Sequence, residues 1–170
     1  VSFDRIDTKI LNILQQDGRI TNVRLAKEIG ISPPAMLERV RRLNASGVID
    51  RYAAILEREK AGFGLLAIVV VSLSLHQIPS LQQIKEQLIE LEEVQECLLL
   101  TGDWDFLLKV AIKDMRTYTD FINDSLSGIP GIQNIRTSFV LDTLKSETML
   151  PIRTTPERAG LRGPKKSDHL

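Results

Sequence analysis

Residues 21–43 read TNVRLAKEIGISPPAMLERVRRL, and this stretch decides the architecture of the first third of the chain. Thr21 or Asn22 can cap a short helix whose Leu25, Ala26 and Ile29 face inward. Gly30-Ile31-Ser32 leaves room only for a tight turn. Ser32 then caps a further helix, with Pro33 at the first position, where a missing N–H costs nothing. Met36, Leu37, Val40 and Leu43 form the buried stripe of that helix, which the sequence ends near Ser46-Gly47. Upstream, Ile6, Ile10, Ile13 and Leu14 recur at i, i+4, i+7 and i+8, predicting a helix over about Asp4 to Gln16. Asp17-Gly18 stops it, with Gly18 expected to take a positive φ. Two short helices joined by a three-residue turn form the unit that lays its second helix in a DNA major groove.

The polar face of the third helix fits that use. Glu38, Arg39, Arg41 and Arg42 lie between its apolar positions, and Arg51 follows. Arginine bridges phosphate oxygens or guanine edges in a bidentate way. The bland alternative is a solvated face with Glu38 and Arg42 as a supporting i, i+4 pair. Charge is unevenly spread although Lys+Arg and Asp+Glu both number 22. Residues 1–60 carry 11 basic and 8 acidic side chains, whereas residues 61–150 carry 6 and 12, so an anionic partner suits only the first part.

Val48 to Ile55 alternates in places and is expected to form a short strand or wing. Glu57-Arg58-Glu59-Lys60 with Gly62 and Gly64 reads as a linker. Beyond it the order is β-α-β-β-α-β. Strands are predicted over Leu65 to Leu75, Gln95 to Thr101, Asp105 to Ile112 and Ile132 to Leu141. One helix opens at Pro79-Ser80 and carries Leu81, Ile84, Leu88 and Leu91; Asp114 caps another carrying Met115, Tyr118, Phe121, Ile122 and Leu126. This is the element order of the ferredoxin-like split βαβ fold, so the fold class is α+β. Leu65 to Val71 and Cys97 to Leu100 are apolar on both sides, which a sheet with one wet face should not be. A second subunit packed sheet to sheet, hence a homodimer, is the economical expectation.

Several classes are excluded by composition. The balance of 43% hydrophobic and 26% charged residues is that of a folded globular protein. No run approaches the length of a membrane span, and no signal peptide is visible, so no membrane partner and a cytoplasmic location are expected. The single cysteine, Cys97, suits a reducing compartment and reads as a small buried hydrophobe. With only His76 and His169 beside it, no metal site or other cofactor is expected. Paired carboxylates Asp103 and Asp105 have no nucleophile–base–orienter companions, so the chain does not read as an enzyme.

Four segments together, Asp4-Arg5-Ile6-Asp7, residues 17–22 (DGRITN), residues 37–43 (LERVRRL) and Gly102-Asp103-Trp104-Asp105, resemble the Lrp/AsnC family of prokaryotic transcription regulators, most closely its leucine-responsive branch. The resemblance runs from about Phe3 to Lys145. It implies a winged helix-turn-helix, a hinge, and an ACT-like effector domain that binds a small amino acid. It also implies homodimers that assemble into octamers or larger rings, with ligand bound between dimers.

Carried over by position, the recognition helix is Pro33 to Ser46. The resemblance implies DNA contacts from Ser32, Pro34 and Ala35 at its start, Glu38, Arg39 and Arg42 along it, and Thr21 and Asn22 near the backbone. Many close relatives have a hydroxyl residue where this chain has Pro34. The implied effector pocket comprises Thr101, Gly102, Asp103, Trp104 and Asp105, with Met115, Thr137, Ser138 and Phe139. Turn N–H groups can receive an α-carboxylate, and Asp103 or Asp105 an α-ammonium. Equally, Gly102-Asp103 can be a plain hairpin turn whose aspartate bonds its own backbone. Trp104 stands where the family often has Tyr or Phe. The expected division is 1–56 for DNA binding, 57–64 linker, 65–153 for effector binding and oligomerisation, with Thr148 to Arg153 as an edge strand, and 154–170 a flexible tail. A ligand-independent architectural protein that wraps DNA remains the alternative.

Overall fold

The computed structural model describes residues 3–74 and 81–153. They form two compact units: one runs to Ala54 and is rejoined by the chain from Ser146, and the other spans Ile55–Lys145. The expected tail at 154–170 and the helix opening at Pro79-Ser80 lie outside the described residues.

The first unit holds three helices, α1 (Arg5–Gln16), α2 (Asn22–Ile29) and α3 (Pro33–Ala45). Each starts at a side-chain cap: Asp4, Thr21 and Ser32 accept from the backbone N–H of Asp7, Arg24 and Ala35. Gly30 closes α2 in the left-handed conformation, so the turn to α3 is as tight as the sequence requires. Ile10, Leu25, Ala26, Met36 and Leu43 form the shared core. Leu37, expected in the buried stripe, is 38% exposed because it lies one residue beyond Met36 and turns toward solvent. Gly18 does not take a positive φ; a Cβ there would instead stand 3.2 Å from the Tyr52 ring. The expected strand at Val48 to Ile55 does not form, and among the described residues this stretch makes no ladder.

The chain returns to this unit at its far end. The backbone N–H of Leu150 donates to Gln15 Oε1 at 2.7 Å, while Gln15 Nε2 donates to the Leu150 carbonyl at 3.2 Å. Asn12 Nδ2 donates to the Ile152 carbonyl at 3.4 Å, and the Ile152 side chain packs on the three-helix core. Residues 148–153 are therefore not an edge strand of the second unit. Two amides on α1 supply the partners that a neighbouring strand would have supplied, and the helical core supplies an apolar seat.

The second unit carries β1 (Leu65–Leu73), α4 (Leu81–Ile89), β2 (Val94–Leu99), β3 (Phe106–Ile112), α5 (Met115–Asp120) and β4 (Ile132–Phe139). The sheet order is β2-β3-β1-β4 with every neighbour antiparallel, the ferredoxin-like arrangement expected. Ala67, Val69 and Val71 of β1 and Phe106, Leu108 and Val110 of β3 alternate onto the face that packs with Ile84, Leu88, Phe121 and Leu126. The expected single helix after Asp114 divides: α5 passes into a π-helix over Phe121–Leu126. Its wider turn lets Phe121 and Leu126, five residues apart, both reach the core. Residues 57–64 are a hydrogen-bonded turn, not an open linker: Ala61, Gly62 and Phe63 donate to Glu57, Glu59 and Arg58, and the Gly64 N–H donates to the Lys113 carbonyl at 3.2 Å.

Candidate nucleic-acid interface and effector site

The start of α3 is an exposed tip of unusual composition. Ser32, Pro33, Pro34 and Ala35 are all exposed. Pro33 and Pro34 have no N–H, and the Ala35 N–H is taken by Ser32 Oγ at 3.4 Å. This end therefore offers apolar surface and one hydroxyl, where other helix starts offer a row of backbone donors. Thr21, exposed at the start of α2, uses its oxygen as a cap and keeps its hydroxyl hydrogen; Asn22 beside it is half-buried. Glu38 is exposed on α3.

Arg39 and Arg42 are engaged within the unit. Arg39 Nη1 lies 2.7 Å from Asp4 Oδ2 and 2.8 Å from Asp7 Oδ1. Arg42 Nη2 lies 3.0 and 2.8 Å from the two oxygens of Asp7. Asp4 also accepts from the Asp7 backbone N–H, which chiefly holds its carboxyl below the usual range, with Arg39 reinforcing the shift. The guanidinium of Arg39 is held above its ordinary value by the hydrogen bonds it donates to Asp4 and then Asp7. Arg41 is exposed and, among the described residues, makes no ion pair. Sequence reasoning named Arg41 on the polar face yet omitted it from the contact set; its exposure beside paired neighbours is what singles it out.

The effector candidates fall into two groups. Thr101 to Asp105 form the β2–β3 hairpin, in which Gly102 takes φ +115°, a conformation that fits the turn reading. Thr101, Gly102 and Asp103 are exposed, and Trp104 and Asp105 half-buried. Asp105 is committed to the sheet: its N–H donates to the Val71 carbonyl, and its Oδ2 accepts from the Leu73 N–H at 2.7 Å. The second group sits lower on the sheet. Thr137 is level with Val69 and Phe139 with Ala67, and Met115 starts α5, which follows the end of β3. Measured along β1 from Val71, where the hairpin bonds, the strand rise puts Thr137 about 7 Å and Phe139 about 13 Å away.

Tyr118, which sequence reasoning assigned only to the core, ties the second group together. Its hydroxyl donates to Thr137 Oγ1 at 2.6 Å and its ring meets that of Phe139 edge-on at 4.9 Å. Ser138 points to the opposite face of the sheet, as strand alternation demands, and is exposed there. One chain thus brings Thr137 and Phe139 together beside α5, but not with the hairpin or with Ser138. Cys97 is half-buried, and burial pushes its thiol pKa up. Among the described residues no group of three or more His, Cys, Asp or Glu could hold a metal ion. No helix of the described residues is long and apolar enough to cross a membrane.

Residues 66–150 match the family model of the Lrp/AsnC ligand-binding domain, and residues 3–50 match that of a winged helix-turn-helix DNA-binding domain. The chain belongs to the Lrp/AsnC family. Like the rest of that family it is a DNA-binding transcription regulator with a ligand-binding domain. It is 42% identical over 151 residues to the leucine-responsive regulatory protein of Escherichia coli strain K12, covering 89% of this chain and 92% of that protein. The same figures hold for the Klebsiella pneumoniae protein of that name. Among solved Lrp/AsnC-type structures, a transcriptional regulator of Neisseria meningitidis in complex with L-Met superposes with a TM-score of 0.84 at 35% identity, covering 88% of this chain and 97% of that one. An AsnC family regulator from Agrobacterium tumefaciens gives 0.82 at 32% identity, with 88% and 97% covered.

Proposed function

We propose that this chain is a sequence-specific transcription regulator of the cytoplasm whose DNA affinity or oligomeric state responds to a small amino acid such as leucine. The observation that carries the proposal is the capped, exposed start of α3 on a unit joined within one chain to the ligand-binding domain of the family. Ser32, Pro34 and Ala35 enter the major groove, where the apolar tip suits thymine methyl groups. Glu38 and Arg42 follow along the groove, and Thr21 and Asn22 lie near the phosphates. The protein works as a homodimer, because two copies of α3 then reach successive grooves. The half-buried Leu66, Ile68 and Val70 and the 47% exposed Leu98 on the outer sheet face support sheet-to-sheet pairing.

The amino acid sits between copies, in an octamer or larger assembly. One copy contributes the hairpin Thr101, Gly102, Asp103, Trp104 and Asp105; another contributes Met115, Thr137 and Phe139, with Ser138 at the margin. That division accounts for the separation of the two groups along the sheet. A ligand that binds one assembly better than another shifts the balance by its differential affinity, ordinarily about 1–3 kcal/mol for such coupling. No catalysis, metal or prosthetic group enters the mechanism.

The test is a thermal-shift screen against the twenty amino acids, followed by DNA binding with and without any stabilising one. A ligand at 100 times its Kd stabilises by about 2.7 kcal/mol. A selective rise with an apolar amino acid, and a matching change in DNA affinity, is the expected result. Stabilisation by none, with DNA binding intact, supports the ligand-independent architectural reading.

A further inference from the structure

We propose that Asp7 is a positioning residue of the DNA interface, which withdraws Arg39 from DNA contact and aims Arg42 at it. The inference rests on the regulator reading above and narrows it. Asp7 is almost fully buried at 6% exposure, yet it lies between two arginines of the helix expected to read DNA. One carboxylate oxygen takes Arg39 Nη1 at 2.8 Å; both oxygens take Arg42 Nη2 at 3.0 and 2.8 Å. Asp4 supplies a further acceptor to Arg39 at 2.7 Å.

The consequences for the two arginines differ. The Arg39 side chain is 25% exposed, against two carboxylates, so its charge is spent inside the unit. Arg42 is 59% exposed and uses only Nη2 on Asp7, which leaves Nε and Nη1 without a hydrogen-bond partner among the described residues. Arg41, exposed and unpaired among the described residues, supplies the uncompensated charge of the helix. Two aspartates and two arginines make the cluster neutral in sum. An α3 that looks like a three-arginine surface therefore acts on phosphates through Arg41 and part of Arg42. Because non-specific affinity grows with each neutralised phosphate, a protein that hides one arginine favours sequence over charge.

Each phosphate contact contributes about −0.9 to the slope of log K against log salt on duplex DNA. The experiment measures that slope with the full chain on a mixed-sequence duplex and on a duplex selected from a random library by the wild type. Arg39→Gln is expected to leave both slopes as they are, whereas Arg41→Gln flattens them by about one unit per protomer. Asp7→Asn leaves Arg39 with Asp4 as its one carboxylate partner and removes the charge that offsets Arg42, so it is expected to steepen the mixed-sequence slope and to bring the two affinities several-fold closer together. A purely structural Asp7 would lower thermal stability and leave the slope and the affinity ratio alone.

Asp7→Asn can cost too much stability to be purified. Asp4→Asn serves then, since asparagine keeps the helix cap through Oδ1 while the charge and the acceptor facing Arg39 are lost. It is expected to shift the slope in the same direction by less. Slope loss in Arg39→Gln equal to that in Arg41→Gln overturns the assignment, as does an unchanged affinity ratio in the aspartate variants. A wild-type protein without salt-dependent DNA binding overturns the regulator reading itself.

Discussion

Tyr118 donates its phenolic hydrogen to Thr137 Oγ1 at 2.6 Å, so that α5 and β4 are joined by a side-chain bond across the candidate effector wall. Tyr118→Phe keeps the edge-on contact with Phe139 and removes only that bond. A loss of about 1 kcal/mol in urea unfolding is expected. If Met115, one helical turn before Tyr118, faces the amino acid, the variant also weakens the ligand-induced thermal shift more than it weakens the free protein.

Asp105 has two separable roles, strand closure and charge. Asp105→Ala leaves the half-buried Leu73 N–H without its acceptor and should cost about 1–3 kcal/mol. Asp105→Asn retains an oxygen at that place and should cost under about 1 kcal/mol. Calorimetric titration with the effector then isolates the charge: a large affinity loss in Asp105→Asn marks an ammonium contact, and wild-type affinity refutes one.

Acid should loosen the first unit through Asp4. Its carboxyl is held below the ordinary value of 3.8 in the folded state, so it binds a proton less readily there than in the unfolded chain. The stabilisation is complete above that ordinary value and is lost as pH falls through the lower folded one. The side chain is 51% exposed, so the contribution is at most a fraction of about 1 kcal/mol after solvent screening. Asp4→Asn should flatten the dependence of Tm on pH below about 4.

The returning segment should stabilise α1 measurably. Gln15→Ala removes both hydrogen bonds to Leu150, at an expected cost of about 1 kcal/mol. Ile152→Ala removes half-buried packing on the three-helix core and should cost about 1–2 kcal/mol. Amide exchange in α1 is the readout, since a segment that merely rested on the surface would leave its protection unchanged.

What could be read from sequence follows the range of the interactions involved. The caps at Thr21 and Ser32 and the apolar run from Leu65 to Val71 are local signals, and α2, α3 and β1 start where those signals put them. Arg39 and Arg42 show the limit. Their spacing marks an exposed face, but their partners Asp4 and Asp7 lie more than thirty residues away and meet them only because α1 crosses α3. Gly18 was legible as a helix stop but not as a contact with Tyr52. Residues 148–153 have strand-like composition, yet Gln15 and Asn12 were free to claim them. The grouping of Ser138 with Thr137 and Phe139 ignored the alternation that sends it to the other face.

Because the chain leaves the first unit at Ala54 and rejoins it at Ser146, the ligand-binding unit is a guest spliced into its host. The splice has two seams, next to Ile55 and Lys145. The host's helical core therefore draws on both ends of the chain, since Ile152, from beyond the second seam, packs on it. One proteolytic nick at either seam would remove no residue from either core, and the contacts of Asn12, Gln15 and Ile152 would still tie the host's two stretches together.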